Sequence, residues 1–112
     1  MSHLDASVCL TVHDTRIYEE DQPPVHFKLI DGTAQSRLHY VCNQGSRLFE
    51  DVEQGERGGQ AQIDIQINSS EVTPIEFEAK LLSGFLDKNN PLMELAHDRA
   101  QATIYIIPYV ED

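Results

Sequence analysis

Two stretches of strict alternation between apolar and polar residues constrain the fold of this chain more than any other feature. Residues 61–67 read AQIDIQI and residues 75–81 read IEFEAKL. Side chains that alternate with a period of two point to opposite faces of a β-strand, so each stretch predicts a strand with one core face and one solvent face. The turn-forming segment SSEVTP (69–74) lies between them, which predicts that the two strands form a hairpin.

The same alternation recurs in shorter segments at 8–12, 25–29, 38–42 and 102–110. About six or seven short strands in a chain of 112 residues are typical of a mainly β domain, so we predict a two-sheet antiparallel β-sandwich with a small barrel as the alternative. One such domain fills residues 1–112. Alternation also predicts which residues face inward in the strand 61–67 and in the shorter strands. They include Ile63, Ile65, Ile67, Val8, Leu10, Val12, Val25, Phe27, Leu29, Leu38, Tyr40 and Cys42.

Residues 82–101 break the alternation. Asn90 followed by Pro91 is typical of a helix N-cap and first helical position, so we predict at most one short helix near 91–99. A long crossover loop is the alternative. The last strand, 102–110, is apolar on both faces, and we expect residues 82–101 to cover its second face, because large apolar stripes are seldom left bare.

The balance of charge restricts the partners of the chain. Its 19 acidic residues outnumber 8 lysines and arginines, and its formal net charge is −11. Nucleic acids and anionic membranes are polyanions, so we expect neither as a direct partner. The first residues, MSHLDASVCLTV, show no basic and apolar signal-peptide regions. We therefore expect a cytoplasmic protein, or a secreted or surface protein if a leader has been removed.

The acidic side chains are the candidate binding residues. In the predicted hairpin, Asp64, Glu76 and Glu78 share one outward face. Such a face is most simply a solvated surface that discourages edge-to-edge aggregation. Alternatively it is an anionic surface that docks a basic protein partner, with salt-sensitive association. The candidate set comprises Glu19, Glu20, Asp21, Glu50, Asp51, Glu53, Glu56, Asp64, Glu76 and Glu78.

Three histidines are spaced thirteen residues apart, and each follows an aliphatic residue: His13, His26 and His39. If their strands were neighbours in one sheet, the imidazoles would form a row of the kind that zinc, copper or nickel binds. The spacing matches no metal motif, however, so we predict no metal site and no cofactor. Cys9 and Cys42 lie in no C-x-x-C motif, and we interpret them as two small buried or half-buried hydrophobic residues.

Catalytic motifs are absent from the sequence. There is no G-x-S-x-G, and the glycines at 55, 58 and 59 are not followed by G-K-[ST], so neither a nucleophile elbow nor a phosphate loop is indicated. The acids lack the apolar setting that would raise the pKa of a carboxyl group for general acid catalysis. We therefore predict no catalytic residue and no enzymatic activity.

The strand rhythm around FEAKL (77–81) and ATIYIIPY (102–109) is similar to that of the carboxy-terminal half of chaperone–usher fimbrial subunits. Those proteins are incomplete immunoglobulin-like sandwiches that are assembled by donor strands. The resemblance implies a sandwich and a role in assembly. It is a resemblance of rhythm alone, without the glycines expected before the final strand, so no residue roles are carried over.

From these observations we expect a non-enzymatic acidic protein-binding module, for example an inhibitor or antagonist that presents an anionic surface to a basic partner. The first alternative is a structural subunit of a larger fimbrial-like or virion assembly, joined by β-strand addition at an edge. The second alternative is a small histidine-based metal-binding protein or enzyme.

Overall fold

The computed structural model describes residues 4–17, 25–49, 55 and 57–108. Within these ranges the chain forms β-strands and no helix. The strands in chain order are β1 (Leu4–Ile17), β2 (Val25–Asp31), β3 (Tyr40–Val41), β4 (Arg47–Leu48), β5 (Arg57–Ser69), β6 (Ile75–Leu81), β7 (Phe85–Asp87), β8 (Met93–Leu95) and β9 (Gln101–Ile106).

The strands form two antiparallel sheets. The four-stranded sheet has the order β3-β5-β1-β7, and the five-stranded sheet has the order β4-β2-β6-β9-β8. Neither sheet closes on itself. The predicted two-sheet sandwich is therefore confirmed, and the small-barrel alternative is wrong.

The predicted hairpin between 61–67 and 75–81 is also wrong, because the two strands belong to different sheets. β5 pairs with β1, with Val8 opposite Ile65 and Leu10 opposite Ile63. β6 pairs instead with β2 and β9. The physical reason lies in strand length: β1 spans 14 residues and β5 spans 13, so β1 can pair with almost all of β5, whereas the 7 residues of β6 would pair with only part of it.

The core lies between the inward faces of the two sheets. Ile63, Ile65 and Ile67 of β5 are at most 2% exposed, which confirms the prediction for AQIDIQI. Burial of a side chain of this size contributes about 1.5–3 kcal/mol to folding. Tyr40 from one sheet stacks on Phe77 from the other, with ring centroids 4.0 Å apart, so an aromatic pair joins the two layers.

The predicted core face at 38–42 is only partly correct. Tyr40 is buried at 2% exposure and Cys42 packs against the core, but Leu38 is 61% exposed. His39, predicted to point outward, is buried at 6%. The cause is a tight turn in which Arg37 adopts a left-handed backbone (φ 73°) and its amide donates to the Tyr40 carbonyl, so residues 37–39 do not follow strand periodicity.

Residues 82–101 form neither the predicted helix near 91–99 nor a simple crossover loop; they contain β7 and β8. The Asn90 side chain accepts a hydrogen bond from the Leu92 amide at 2.8 Å, and the Asn90 carbonyl accepts one from the Met93 amide at 3.0 Å. This turn leads directly into β8, which pairs with β9. β8 thus extends the sheet beside β9 and does not cover the outer face of β9 as we expected.

Candidate functional site

The structure separates the acidic residues that the sequence placed on one face. Asp64 is exposed on the outer face of the four-stranded sheet, while Glu76 and Glu78 lie half-buried on the outer face of the five-stranded sheet. The shared face predicted for these three residues is therefore wrong, because it depended on the hairpin. The other acidic candidates lie outside the described residues: Glu19, Glu20, Asp21, Glu50, Asp51, Glu53 and Glu56.

A different group of acids does come together, and we call it the acidic face: Glu76, Glu78 and Glu94, with Thr103 and Tyr105 of β9 between them. Strand register places them. Glu78 and Glu94 lie on either side of Thr103, and Glu76 lies opposite Tyr105. Neighbouring strands are about 4.8 Å apart, so the carboxylates of β6 and β8 flank a single strand.

The Tyr105 hydroxyl interacts electrostatically with two carboxylates of the acidic face. Its hydroxyl donates to Glu94 Oε2 at 3.2 Å. The pKa of this hydroxyl is raised, first by removal from solvent, then by the Glu94 hydrogen bond and by the negative charges of Glu94 and Glu76. Both carboxylates therefore act on one hydroxyl group, because each negative charge disfavours the tyrosinate.

The acidic face has little compensating positive charge. The lysines of the same outer face, Lys28 and Lys80, lie opposite each other toward one end of it. Within the described ranges, no lysine or arginine forms an ion pair with Glu76, Glu78 or Glu94. The acidic face therefore presents its negative charge to solvent or to a partner.

Sequence reasoning missed Glu94 because it assigned residues 91–99 to a helix. The signal that identifies it is short: Met93, Glu94 and Leu95 repeat the apolar–polar–apolar pattern of a strand. Met93 is fully buried and Glu94 is exposed, as that alternation requires.

The three regularly spaced histidines do not form a row. His13 lies on β1 of the four-stranded sheet and His26 on β2 of the five-stranded sheet. His39 is held in the turn before β3, where its Nδ1 accepts from the Gln35 amide at 2.9 Å and its Nε2 lies 3.0 Å from Glu71 Oε1. Across the described residues, no group of three or more His, Cys, Asp or Glu side chains is arranged to hold a metal ion.

Both cysteines are free thiols and half-buried, which agrees with their interpretation as small hydrophobic residues. Cys9 lies on β1 opposite Asp64, on the outer face of the sheet, whereas Cys42 packs partly against the core. Burial raises the pKa of the Cys9 thiol, and the neighbouring Asp64 carboxylate raises it further. A raised pKa leaves less thiolate at neutral pH, so this setting does not activate a nucleophile.

The edge of the four-stranded sheet is only partly closed. β7 pairs with β1 at Thr11–His13 alone, and no described strand pairs with Leu4–Leu10 on that side. Beside this open stretch a groove of about 170 Å³ lies between the two sheets. Its lining is largely apolar and includes Leu4, Ala6, Val8, Leu92, Ile104 and Ile106.

The fold defines the protein as a two-sheet antiparallel β-sandwich whose two distinctive surfaces are the acidic face and the partly open edge. No protein-family model, curated protein or solved structure matches the chain. No helix long and apolar enough to cross a membrane is found in the part of the chain that the structure describes.

Proposed function

We propose that this protein is a non-enzymatic protein-binding module that presents the acidic face to a basic partner protein. The observation that supports the proposal is the grouping of Glu76, Glu78 and Glu94 on either side of Thr103 and Tyr105, without an ion pair to any described cation. An antagonist that imitates a polyanion, and so occupies the nucleic-acid site of its target, is one concrete form of this function.

The composition of the acidic face suits protein recognition. A net charge of −11 attracts a basic surface over a distance and accelerates its association. Tyr105 adds an amphipathic ring beside Glu76 and Glu94, and tyrosine is enriched in the cores of protein interfaces. The negative charge thus accelerates association with the partner, and the aromatic ring provides an apolar contact within the interface.

The proposal is tested by neutralising the acidic face. Proteins that bind the wild-type chain are captured from an extract of its source, and their association with variants is measured by surface plasmon resonance. Glu76→Gln, Glu78→Gln and Glu94→Gln together should weaken binding by about tenfold or more, mainly through slower association. Higher salt should slow association of the wild-type protein in the same way.

The control changes the net charge equally on the opposite sheet. Asp64→Lys together with Gln66→Lys raises the net charge as much as the three glutamine substitutions do, but on the outer face of the four-stranded sheet. We expect this control to retain most of the affinity. Equal losses for the two variants, or an affinity that does not respond to salt, contradict a contact at the acidic face.

A second candidate function is a structural subunit joined to its neighbours by strand addition. The open stretch of β1 at Leu4–Leu10 favours it, because an unpaired edge offers backbone groups to another chain. Size-exclusion chromatography with light scattering tests self-assembly, and a monomer at all concentrations contradicts it. The histidine-based metal alternative is not carried forward, because His13 and His26 lie on different sheets.

A further inference from the structure

In the part of the chain that the structure describes, the open stretch of β1 lacks the usual protection of a sheet edge. Natural edges are blunted by lysine, proline or a bulge, which prevent pairing with other chains. Residues 4–10 read LDASVCL, with neither lysine nor proline and with Asp5 as the only charge. The irregularity of β1 lies at the other end, between Asp14 and Ile17. An edge of this kind is suited to accepting another strand.

The groove lies where the side chains of an added strand would point. β1 contributes Leu4, Ala6 and Val8 to its lining, and β9 contributes Ile104 and Ile106. In an added strand alternate side chains face the same side. Those facing inward would enter the groove between the sheets, while the backbone pairs with β1.

We infer that the edge at Leu4–Leu10 binds an extended segment of a partner protein, with apolar residues at alternate positions and lysine or arginine between them. The apolar residues fill the groove, and the main chain extends the four-stranded sheet. Charge complementarity selects this occupant, because a second copy brings a further net charge of −11 whereas a basic segment is attracted. This contact goes beyond the proposed function, since it uses a different sheet from the acidic face.

The test uses a synthetic ten-residue peptide of alternating valine and lysine with blocked ends. Its control has the same sequence, N-methylated at the four central residues, so that it keeps charge and apolar surface but cannot pair with a strand. Binding is measured by fluorescence anisotropy. The amides of the protein are followed by NMR shifts and hydrogen exchange, which identify the residues that become paired.

A matched pair of protein variants locates the contact. Ala6→Lys places a cation at the mouth of the groove, at an exposed position that should tolerate it. Gln66→Lys makes the same change of charge one strand in from the edge, opposite Ser7, but on the exposed outer face of β5 and so on the other side of the sheet from the groove. We expect the methylated peptide and the Ala6→Lys protein each to lower affinity at least about tenfold, and Gln66→Lys to lower it much less.

The expected result is valine–lysine peptide binding that slows exchange of the amides in Leu4–Leu10. Absence of binding overturns the inference. Equal affinity for the methylated peptide also overturns it, because binding would then depend on charge and apolar contact without strand pairing. That result would not contradict the proposed contact at the acidic face. If the protein alone dimerises in sedimentation and protects the same amides, a second copy is the occupant and the inference is again overturned.

Discussion

The imidazole Nε2 of His13 on β1 is hydrogen-bonded to the carboxylate of Asp87 on β7. The same carboxylate accepts a hydrogen bond from Arg99, whose guanidinium lies over the Phe85 ring 4.7 Å from its centroid. His13 itself stacks on Phe85 at 4.6 Å. These contacts hold the short strand β7 against β1, so the sheet edge is closed at Thr11–His13, whereas no described strand pairs with Leu4–Leu10 on that side.

The contact between His13 and Asp87 makes the stability of the fold depend on pH in the acid range. The hydrogen bond from His13 is the main cause that lowers the pKa of the Asp87 carboxyl group. Desolvation, the next largest effect, opposes it, and the charges of His13 and Arg99 lower the pKa further. A carboxyl group whose folded pKa is depressed stabilises the fold above its unfolded value of about 3.9, and this contribution is lost as the pH falls through the folded value.

We therefore expect Asp87→Asn to lower the free energy of unfolding at neutral pH, with the deficit shrinking as the pH falls below about 3.9. Urea unfolding of both proteins over a series of pH values measures this difference. Asp5→Asn removes the same charge from exposed β1 and serves as the control. A deficit that is independent of pH contradicts a lowered pKa of Asp87 in the folded protein.

Alanine is unfavourable at Gly84, just before β7, for two reasons: backbone strain and steric overlap. Substitutions at three glycines separate these two effects. Gly84 has a left-handed backbone (φ 82°), and an added Cβ would overlap the His13 carbonyl oxygen. Gly59 has a similar φ of 71° but open space around it. A Cβ added at Gly32 would lie 2.7 Å from the Glu76 carbonyl oxygen, and the backbone of Gly32 is not left-handed. Alanine would therefore meet both strain and overlap at Gly84, strain alone at Gly59 and overlap alone at Gly32.

We expect Gly59→Ala to destabilise the protein by about 1–2 kcal/mol, the usual penalty of a left-handed backbone for an L-residue. Gly84→Ala should destabilise it by clearly more than Gly59→Ala, because β1 and β7 must also move apart. Gly32→Ala gives the effect of overlap alone. Thermal and urea unfolding of the three variants measure these differences, and equal losses for Gly84→Ala and Gly59→Ala argue against the overlap.

The sequence predicts which faces of the strands are buried, but not which strands are neighbours. Ile63, Ile65 and Ile67 are core because a period of two decides the inward face locally. The partner of β5 is decided by β1, about fifty residues earlier in the chain, and no local pattern records that pairing. The turn at 69–74 permits a hairpin as well as a crossing between sheets, so proximity in sequence favoured the wrong partner.

The acidic face was only half predictable for a related reason. Glu76 and Glu78 follow directly from alternation in β6. Glu94 depends on whether Asn90 and Pro91 begin a helix or a turn, and the hydrogen bond from the Leu92 amide to the Asn90 side chain suits both. Pairing of β8 with β9 decides between them, and that pairing is a tertiary interaction that overrides local helix signals.

The environment of the Tyr40 hydroxyl predicts that the fold loses stability at alkaline pH. It donates a hydrogen bond to Asp31 Oδ1, and burial together with the Asp31 carboxylate raises its pKa far above the ordinary value. A group whose folded pKa is raised stabilises the fold fully below its unfolded value of about 10, and the contribution is lost as the pH rises toward the folded value.

We expect Tyr40→Phe to lower the free energy of unfolding by about 0.5–1.5 kcal/mol at neutral pH, the net value of one hydrogen bond. Above pH of about 10 the wild-type protein should lose stability more steeply than the variant. Urea unfolding across this range measures both slopes, and tyrosinate absorbance follows the ionisation. Parallel slopes would show that Tyr40 makes no specific contribution.

The pairing of Cys9 with Asp64 across β1 and β5 predicts the reactivity of the thiol. Burial is the main cause of its raised pKa, and the hydrogen bond and charge of Asp64 are the smaller ones. Asp64→Asn should therefore lower the pKa only in part. One pKa unit corresponds to a tenfold change in the thiolate fraction, so we expect alkylation by iodoacetamide at neutral pH to become faster, by less than about tenfold.

The rate is best measured in a Cys42→Ser background, so that Cys9 is the only thiol. Its dependence on pH gives the pKa directly, and Asp64→Asn should shift that profile toward lower pH. Asp5→Asn removes a charge further along the same strand and should leave the profile nearly unchanged, since screening weakens distant exposed charges. Equal shifts for the two variants would mean that the overall charge, and not the cross-strand contact, sets the pKa of Cys9.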